Sequence, residues 1–108
     1  MAEALKVLGQ AALAATTLTS VYTVPGDTSA VVSTFVICNR STATTFRVAV
    51  SPAGAAIDNA HYIFYDVTLP ANDSFVATIG GTLATTDIIR FYAGSANVSV
   101  TVFGSETT

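Results

Sequence analysis

From residue 18 onward the chain alternates apolar and polar residues with a period of two. That spacing sends successive side chains to opposite faces of a β-strand. Asn97-Val98-Ser99-Val100-Thr101-Val102 is the plainest case, with valines on one face and polar residues on the other. Ser33-Thr34-Phe35-Val36-Ile37-Cys38 is apolar on both faces and predicts a central strand. Thr45 to Val50 places Phe46, Val48 and Val50 inward and Arg47 outward. Between His61 and Leu69, the set Ile63, Tyr65, Val67 and Leu69 alternates against Tyr62, Phe64, Asp66 and Thr68. Val21–Val24, Ser74–Ile79 and Ile88–Tyr92 read as further strands, and the only helical hint is a first turn or two in Ala2–Leu8. Short strands at intervals of roughly 10–15 residues, separated by turn signals, predict an all-β fold: an antiparallel β-sandwich, jelly-roll-like.

The connections echo one another. Thr23-Val24-Pro25-Gly26-Asp27, Thr68-Leu69-Pro70-Ala71-Asn72-Asp73 and Thr82-Leu83-Ala84-Thr85-Thr86-Asp87 each end a strand, turn through small or Pro residues, and place an Asp before the next strand. Such an Asp is expected to accept a hydrogen bond from the backbone N–H two residues on. Pro52-Ala53-Gly54-Ala55-Ala56 predicts a longer loop, and Gly80-Gly81 a tight turn or bulge. The first residues stand apart. Leu5 to Gln10 could form a short strand, whereas Ala11 to Thr17 is small and featureless. Residues 1–17 are expected to be an extended N-terminal arm lying on a neighbouring subunit, and residues 18–108 a single sandwich domain.

Composition adds a second theme. A chain of 108 residues supports one domain and buries enough surface to need no staples. Charged residues make up 10% of it, against about 25% in ordinary soluble domains. Hydrophobic residues reach 51% and mean hydropathy is +0.59. No uninterrupted apolar run approaches the ~20 residues that span a bilayer, so no membrane is expected. Abundant Ala and Thr account for part of the surplus; a surface covered by copies or neighbours, where charge is depleted, accounts for the rest. Net charge is −3, with Lys6, Arg40, Arg47 and Arg90 the only Lys and Arg residues. Four scattered cations do not make a phosphate-tracking surface, which argues against nucleic acid. Ala12-Leu13-Ala14 mimics a small-residue cleavage site, but no continuous apolar stretch precedes it, and the segment reads as mature protein.

Candidate chemistry is sparse. A Cys38 nucleophile would need His61 as base and Asp58 or Asp66 as orienter, yet no local signature joins them. Cys38 is expected to be a buried, inert thiol on the most apolar strand. No catalytic residue is assigned. One Cys and one His do not make a zinc site. Asp58, Asp66, Asp73 and Asp87 lack any Ca²⁺-loop spacing, so no metal or other cofactor is expected. Asn39-Arg40-Ser41, Asn72-Asp73-Ser74 and Asn97-Val98-Ser99 are sequons, read here as turn or strand-edge asparagines. Tyr62, Phe64, Tyr65, Phe91 and Tyr92 could build a carbohydrate platform, although most suit inward core positions.

Leu5-Lys6-Val7-Leu8-Gly9-Gln10, Ser20-Val21-Tyr22-Thr23-Val24-Pro25 and Ser33-Thr34-Phe35-Val36-Ile37-Cys38-Asn39-Arg40 carry a resemblance. So do Phe46-Arg47-Val48-Ala49-Val50-Ser51-Pro52-Ala53-Gly54-Ala55, His61-Tyr62 and Val102-Phe103-Gly104-Ser105-Glu106. The chain resembles, over essentially its whole length, a family of short tailed-bacteriophage virion structural proteins. The resemblance implies a particle component without enzymatic activity. Its expected form is a capsid cement protein, a homotrimer on the outer surface of the virion that contacts the major capsid protein after assembly in the host cytoplasm. A tail, baseplate or fibre-attachment protein, or a host-glycan-binding module, is the alternative. Candidate contact residues are Leu5, Lys6, Val7 and Leu8 in the arm, with Arg40, Arg47 and His61.

Overall fold

The computed structural model describes residues 3–108. Eight strands run in chain order: β1 (Glu3–Ala12), β2 (Thr19–Thr23), β3 (Ser29–Asn39), β4 (Thr44–Ser51), β5 (Tyr62–Leu69), β6 (Ser74–Leu83), β7 (Ile88–Ala93) and β8 (Val98–Thr107). They form two four-stranded sheets, β1-β8-β3-β6 and β2-β7-β4-β5, and every ladder is antiparallel. The chain is therefore an all-β sandwich. β3 lies between β8 and β6, as its two apolar faces require. Two short 3₁₀ turns, Pro52–Gly54 and Asn59–His61, carry the loop from β4 to β5.

The core sits between the sheets. Val32, Phe35 and Ile37 of β3 and Val98, Val100 and Val102 of β8 meet Phe46 and Val48 of β4 and Ile89 and Phe91 of β7, all buried. Phenylalanines lock the layers together. Phe35 meets Phe91 edge-on at 5.2 Å and Phe64 at 5.6 Å, while Phe46 and Phe75 lie 4.9 Å apart. Edge-on pairs add about 0.5–1.5 kcal/mol each beyond the area they bury. Each Phe therefore holds both sheets, and truncating Phe35 or Phe46 to Ala costs about 3–5 kcal/mol.

The segment expected to be an arm is instead an edge strand of its own sandwich. β1 pairs with β8 from Glu3↔Thr107 to Ala12↔Ser99, with a shift at Leu8. Leu13, 2% exposed, plugs the core just beyond it, and Ala15 bridges to Ala93. The physical reason is that Leu8, Ala11 and Leu13 turn toward the core once the bulge resets the phase. Glu3–Leu8 is strand rather than helical turn, and Ala2 lies outside the described residues.

A second difference lies in β5. Phe46 pairs with Val67 but Val48 pairs with Phe64, so Tyr65 and Asp66 together oppose Arg47. Asp66 takes φ +50° to absorb the extra residue. This bulge flips the phase, so that Phe64 packs against the core with Val67 and Leu69, while Ile63 and Tyr65 remain 47% and 56% exposed. Cys38 also departs from expectation. It stands on the outer face of its sheet, half-buried, in register with Ser74 and Ser99.

The three echoing turns share a conformation more closely than a chemistry. Asp27, Asn72 and Thr86, each three residues after the buried Val24, Leu69 and Leu83, adopt φ +54°, +53° and +69°. Two of their acids, Asp73 and Asp87, act otherwise than expected. The Asp73 carboxylate accepts from its neighbour Ser74 N at 2.8 Å, and Asp87 accepts from Ala84 N at 2.9 Å and from Ala53 N at 2.8 Å. Asp87 thus ties the β6–β7 turn to the Pro52–Gly54 loop.

Candidate interaction surfaces

The outer face of the β1-β8-β3-β6 sheet is the first candidate. Val7 is in register with Phe103, and Leu5 with Ser105, which faces Val31 on the next strand. Leu5, Val7, Phe103 and Val31 are therefore on one face, exposed by 83%, 47%, 40% and 37%. With Ser33 and Ser105 they line a shallow groove. The same face continues through Val36 beside Val76 and Thr34 beside Thr78. No charged residue occurs in β3 or β6, and β8 carries only Glu106.

Lys6 also lines that groove, with its charge paired to Glu106. The Lys6 Nζ lies 2.6 Å from Glu106 Oε1, and the Tyr22 hydroxyl donates to Glu106 Oε2 at 2.5 Å. The hydrogen bonds from Lys6 and Tyr22 hold the Glu106 carboxyl below its usual range. Burial, with the carboxylate beside it, pushes the Tyr22 phenol up. The three side chains form one polar latch joining β1 and β8 to β2. Leu8, at the bulge, packs against the core rather than facing outward.

The second candidate is on the opposite sheet. The β5 bulge brings Asp66 to Arg47, whose Nε and Nη2 donate to its two carboxylate oxygens at 2.6 and 3.3 Å. The guanidinium carbon also lies 4.2 Å from the Tyr65 ring centroid and 4.5 Å from that of Tyr92. Arg47 is held by a fork and two aromatic faces, a geometry that Lys would not reproduce. The Asp66 hydrogen bonds push its pKa further up. Tyr62 meets Tyr65 edge-on at 5.0 Å, and with Asn59 these rings line a surface groove beside the clasp. Of the five aromatics expected in a platform, Tyr62, Tyr65 and Tyr92 belong to this cluster, while Phe64 and Phe91 pack into the core.

The remaining candidates are dispersed. Arg40 follows β3 in a loop, where its N–H donates to Asn97 O at 2.8 Å and its Nη2 to Ala96 O at 3.4 Å. His61 caps the turn before β5: its Nδ1 accepts from Asp58 N at 3.1 Å, while Asp58 accepts from Ala60 N. The structure thus gathers Leu5 and Val7 into one patch with Lys6 at its edge, and leaves Leu8, Arg40, Arg47 and His61 apart from it. Cys38 lies on β3 of one sheet and His61 in the 3₁₀ turn that leads into β5 of the other, with no hydrogen bond between them. No group of three or more His, Cys, Asp or Glu gathers to hold a metal ion among the described residues.

Asn39 settles the first sequon. It is 1% exposed, and its Nδ2 donates to Thr42 O at 2.8 Å, Pro70 O at 3.0 Å and Leu69 O at 3.3 Å. Its Oδ1 accepts from Ser41 N at 3.1 Å. The amide a glycan would need is thus enclosed by the loop it organises. Sequence reasoning missed Val31 and Phe103 as surface residues and Asp66 as the partner of Arg47. The signals were present only as two apolar residues on the outward phase of their strands and one acid opposite Arg47. The chain matches no family model, no curated protein and no solved structure.

Proposed function

We propose that this protein is a bacteriophage virion structural protein, a capsid cement protein that binds the outer shell and stabilises contacts between capsomers. The observation that carries the reading is the outer face of the β1-β8-β3-β6 sheet, with Leu5, Val7, Val31 and Phe103 exposed on it and exposed charge confined to β1 at its margin. An apolar patch rimmed by Ser and Thr suits a surface that is covered in an assembly, and charge depletion is what interface centres share. The strand order supports a jelly roll. β1 pairs with β8, β2 with β7, β3 with β6 and β4 with β5, so the pairs alternate between the two sheets along one folded hairpin. A homotrimer seated through this face on the major capsid protein completes the proposal.

A reconstruction of the particle tests it. Density for this chain over the capsid in hundreds of copies is the expected result. Density confined to a tail or baseplate would replace the cement role by the tail role, and no density at all would remove both. A second reading has its own observation: the Asn59, Tyr62 and Tyr65 groove offers an aromatic edge and polar groups of the kind sugars use. Glycan-array binding lost on Tyr65→Ala would favour it.

A further inference from the structure

We infer that two copies of this chain join through β6, extending the β1-β8-β3-β6 sheet across a two-fold axis. The contact adds to the self-assembly described above and is tested without the particle.

The four sheet edges are unequally defended. Unpaired edges are ordinarily blunted by charge, Pro, bulges or short length. β1 carries Glu3 and Lys6 and a shift at Leu8. β2 has five residues and a shift at Val21. β5 carries the Asp66 bulge at φ +50°. β6 runs ten residues, SFVATIGGTL, with no charge and no Pro. Its irregularity falls at Ile79 and Gly80, so Ser74 to Thr78 pairs with β3 in unbroken register. That stretch leaves one whole row of backbone groups free for another strand, and Val76 on it is 59% exposed.

A second observation marks the same edge. β1 and β2 meet across one side of the sandwich, whereas β6 pairs with β3 alone and reaches the other sheet through Phe75, which packs on Phe46 and Phe64. The side between β5 and β6 opens as an apolar cleft of ≈ 340 Å³. Ile63, Phe64, Ile79 and Leu83 are among its walls, and Ile63 stands 47% exposed at its rim. A strand added to β6 continues the sheet over this opening. The row that β6 turns inward, Phe75, Ala77 and Ile79, would be repeated by the partner and would cover the cleft mouth.

The occupant is a second copy because β6 complements itself. Antiparallel pairing about Val76 sets Val76 against Val76, Ser74 against Thr78 and Phe75 against Ala77. Hydroxyl faces hydroxyl, the large ring faces the small methyl, and no like charges oppose. The two-fold operation also closes the contact, so that each copy uses its β6 edge once and no open chain of strands grows from it.

Disulfide trapping tests the register. In a Cys38→Ser background, Val76→Cys should yield a crosslinked dimer on mild oxidation, while the same change at Thr68 on β5 should not. Light scattering tests the equilibrium. Val76→Lys sets two cations directly opposite one another and should raise the dimer's midpoint concentration by about tenfold or more, with the melting temperature of the dilute protein unchanged. A monomer at all concentrations, an oligomer indifferent to Val76→Lys, or absence of the crosslink in the Val76→Cys variant would each overturn the inference. A monomeric protein still found on the particle would sink this contact and leave the virion reading standing. A β6 dimer found on no particle would do the reverse.

Discussion

Replacing Asn39 removes the side chain that fastens one end of the sandwich. Its amide donates to the Thr42, Pro70 and Leu69 carbonyls and accepts from Ser41 N, so it joins the β3–β4 loop to the β5–β6 turn. Asn39→Ala deletes two N–H donors and one acceptor at a position 1% exposed. A buried partner left without its hydrogen bond costs about 1–3 kcal/mol, less where water can enter. The Leu69 bond is buried and the others lie partly toward solvent, which puts the total near 3 kcal/mol. With an unfolding entropy of about 2.1 cal/mol/K per residue, that loss lowers the melting temperature by about 13 °C for a chain of this length.

Asn39→Asp is the sharper variant because it keeps the size and reverses the polarity. A carboxylate there has no proton to donate to three carbonyl oxygens, and burial further disfavours its charge. Its folded-state pKa therefore lies above the unfolded value of about 3.9. The sign follows: a raised folded pKa leaves the variant nearest to wild type below the unfolded value. Stability is then lost as pH rises, by about 1.4 kcal/mol per pH unit up to the folded pKa. Circular-dichroism melts of the wild type, Asn39→Ala and Asn39→Asp at pH 4 and pH 7 measure both effects. The Ala deficit should be nearly the same at the two pH values, and the Asp deficit should deepen at pH 7. An Asn39→Asp protein as stable as wild type at pH 7, or an Ala deficit under about 1 kcal/mol, would refute the placement of this amide.

Three further substitutions probe other joints. Glu106→Gln breaks the latch with Lys6 and Tyr22. Because Glu106 is held below its usual range, the stability it adds is present above the ordinary carboxylate pKa and is lost in acid as pH falls through the lower folded value. The gap to wild type should be about 1–2 kcal/mol at neutral pH and close on acidification, and a pH-independent gap in urea titrations would contradict the latch. Thr86→Asn should stabilise by about 0.5–1 kcal/mol, since a β-branched residue holds φ +69° where Asn72 serves the equivalent turn, and calorimetry showing no gain would count against that strain. Gly9→Ala should cost more than about 2 kcal/mol, because its Cβ would run into the Val21 carbonyl oxygen; an unchanged urea midpoint would mean that β1 and β2 do not approach as described.

What the sequence made legible was whatever repeats with period two. Val98, Val100 and Val102 could be placed on the core face because no bulge interrupts β8 there. What it hid was wherever one residue is added to one strand only. Asp66 carries no mark that separates it from an ordinary outward acid, yet its φ of +50° decides that Phe64 rather than Tyr65 enters the core. Leu8 does the same for β1. Before the bulge Leu5 and Val7 face outward, and after it Ala11 and Leu13 pack inward, which read as a featureless arm. The Tyr–Arg–Tyr clasp was hidden for a related reason. It takes Tyr65 from β5, Arg47 from β4 and Tyr92 from β7, and only strand order makes them neighbours.

The distribution of charge then narrows how this protein can bind anything. Arg40 and Arg47, both candidate contact residues in the sequence, have partners within the chain. Arg47 is spent on Asp66 and two tyrosine faces, and Arg40 reaches the Ala96 carbonyl. Lys6 is paired with Glu106, and Arg90 donates to Ser51 and Ser20 hydroxyls at 2.9 and 3.0 Å. All of the chain's Lys and Arg side chains are engaged internally, while Asp27 and Asp73 lie in exposed turns. A partner drawn in by opposite charge would therefore have to be basic and meet those turns or Glu3 at the start of β1. A partner seated on the β1-β8-β3-β6 face would meet Leu5, Val7, Val31, Val76 and Phe103, with Glu3 at the margin. Contact on that face is governed by shape and apolar area, which salt screens little. Raising ionic strength from 50 to 500 mM should leave self-association nearly constant or strengthen it. A marked weakening would place the contact on the turns instead of the sheet.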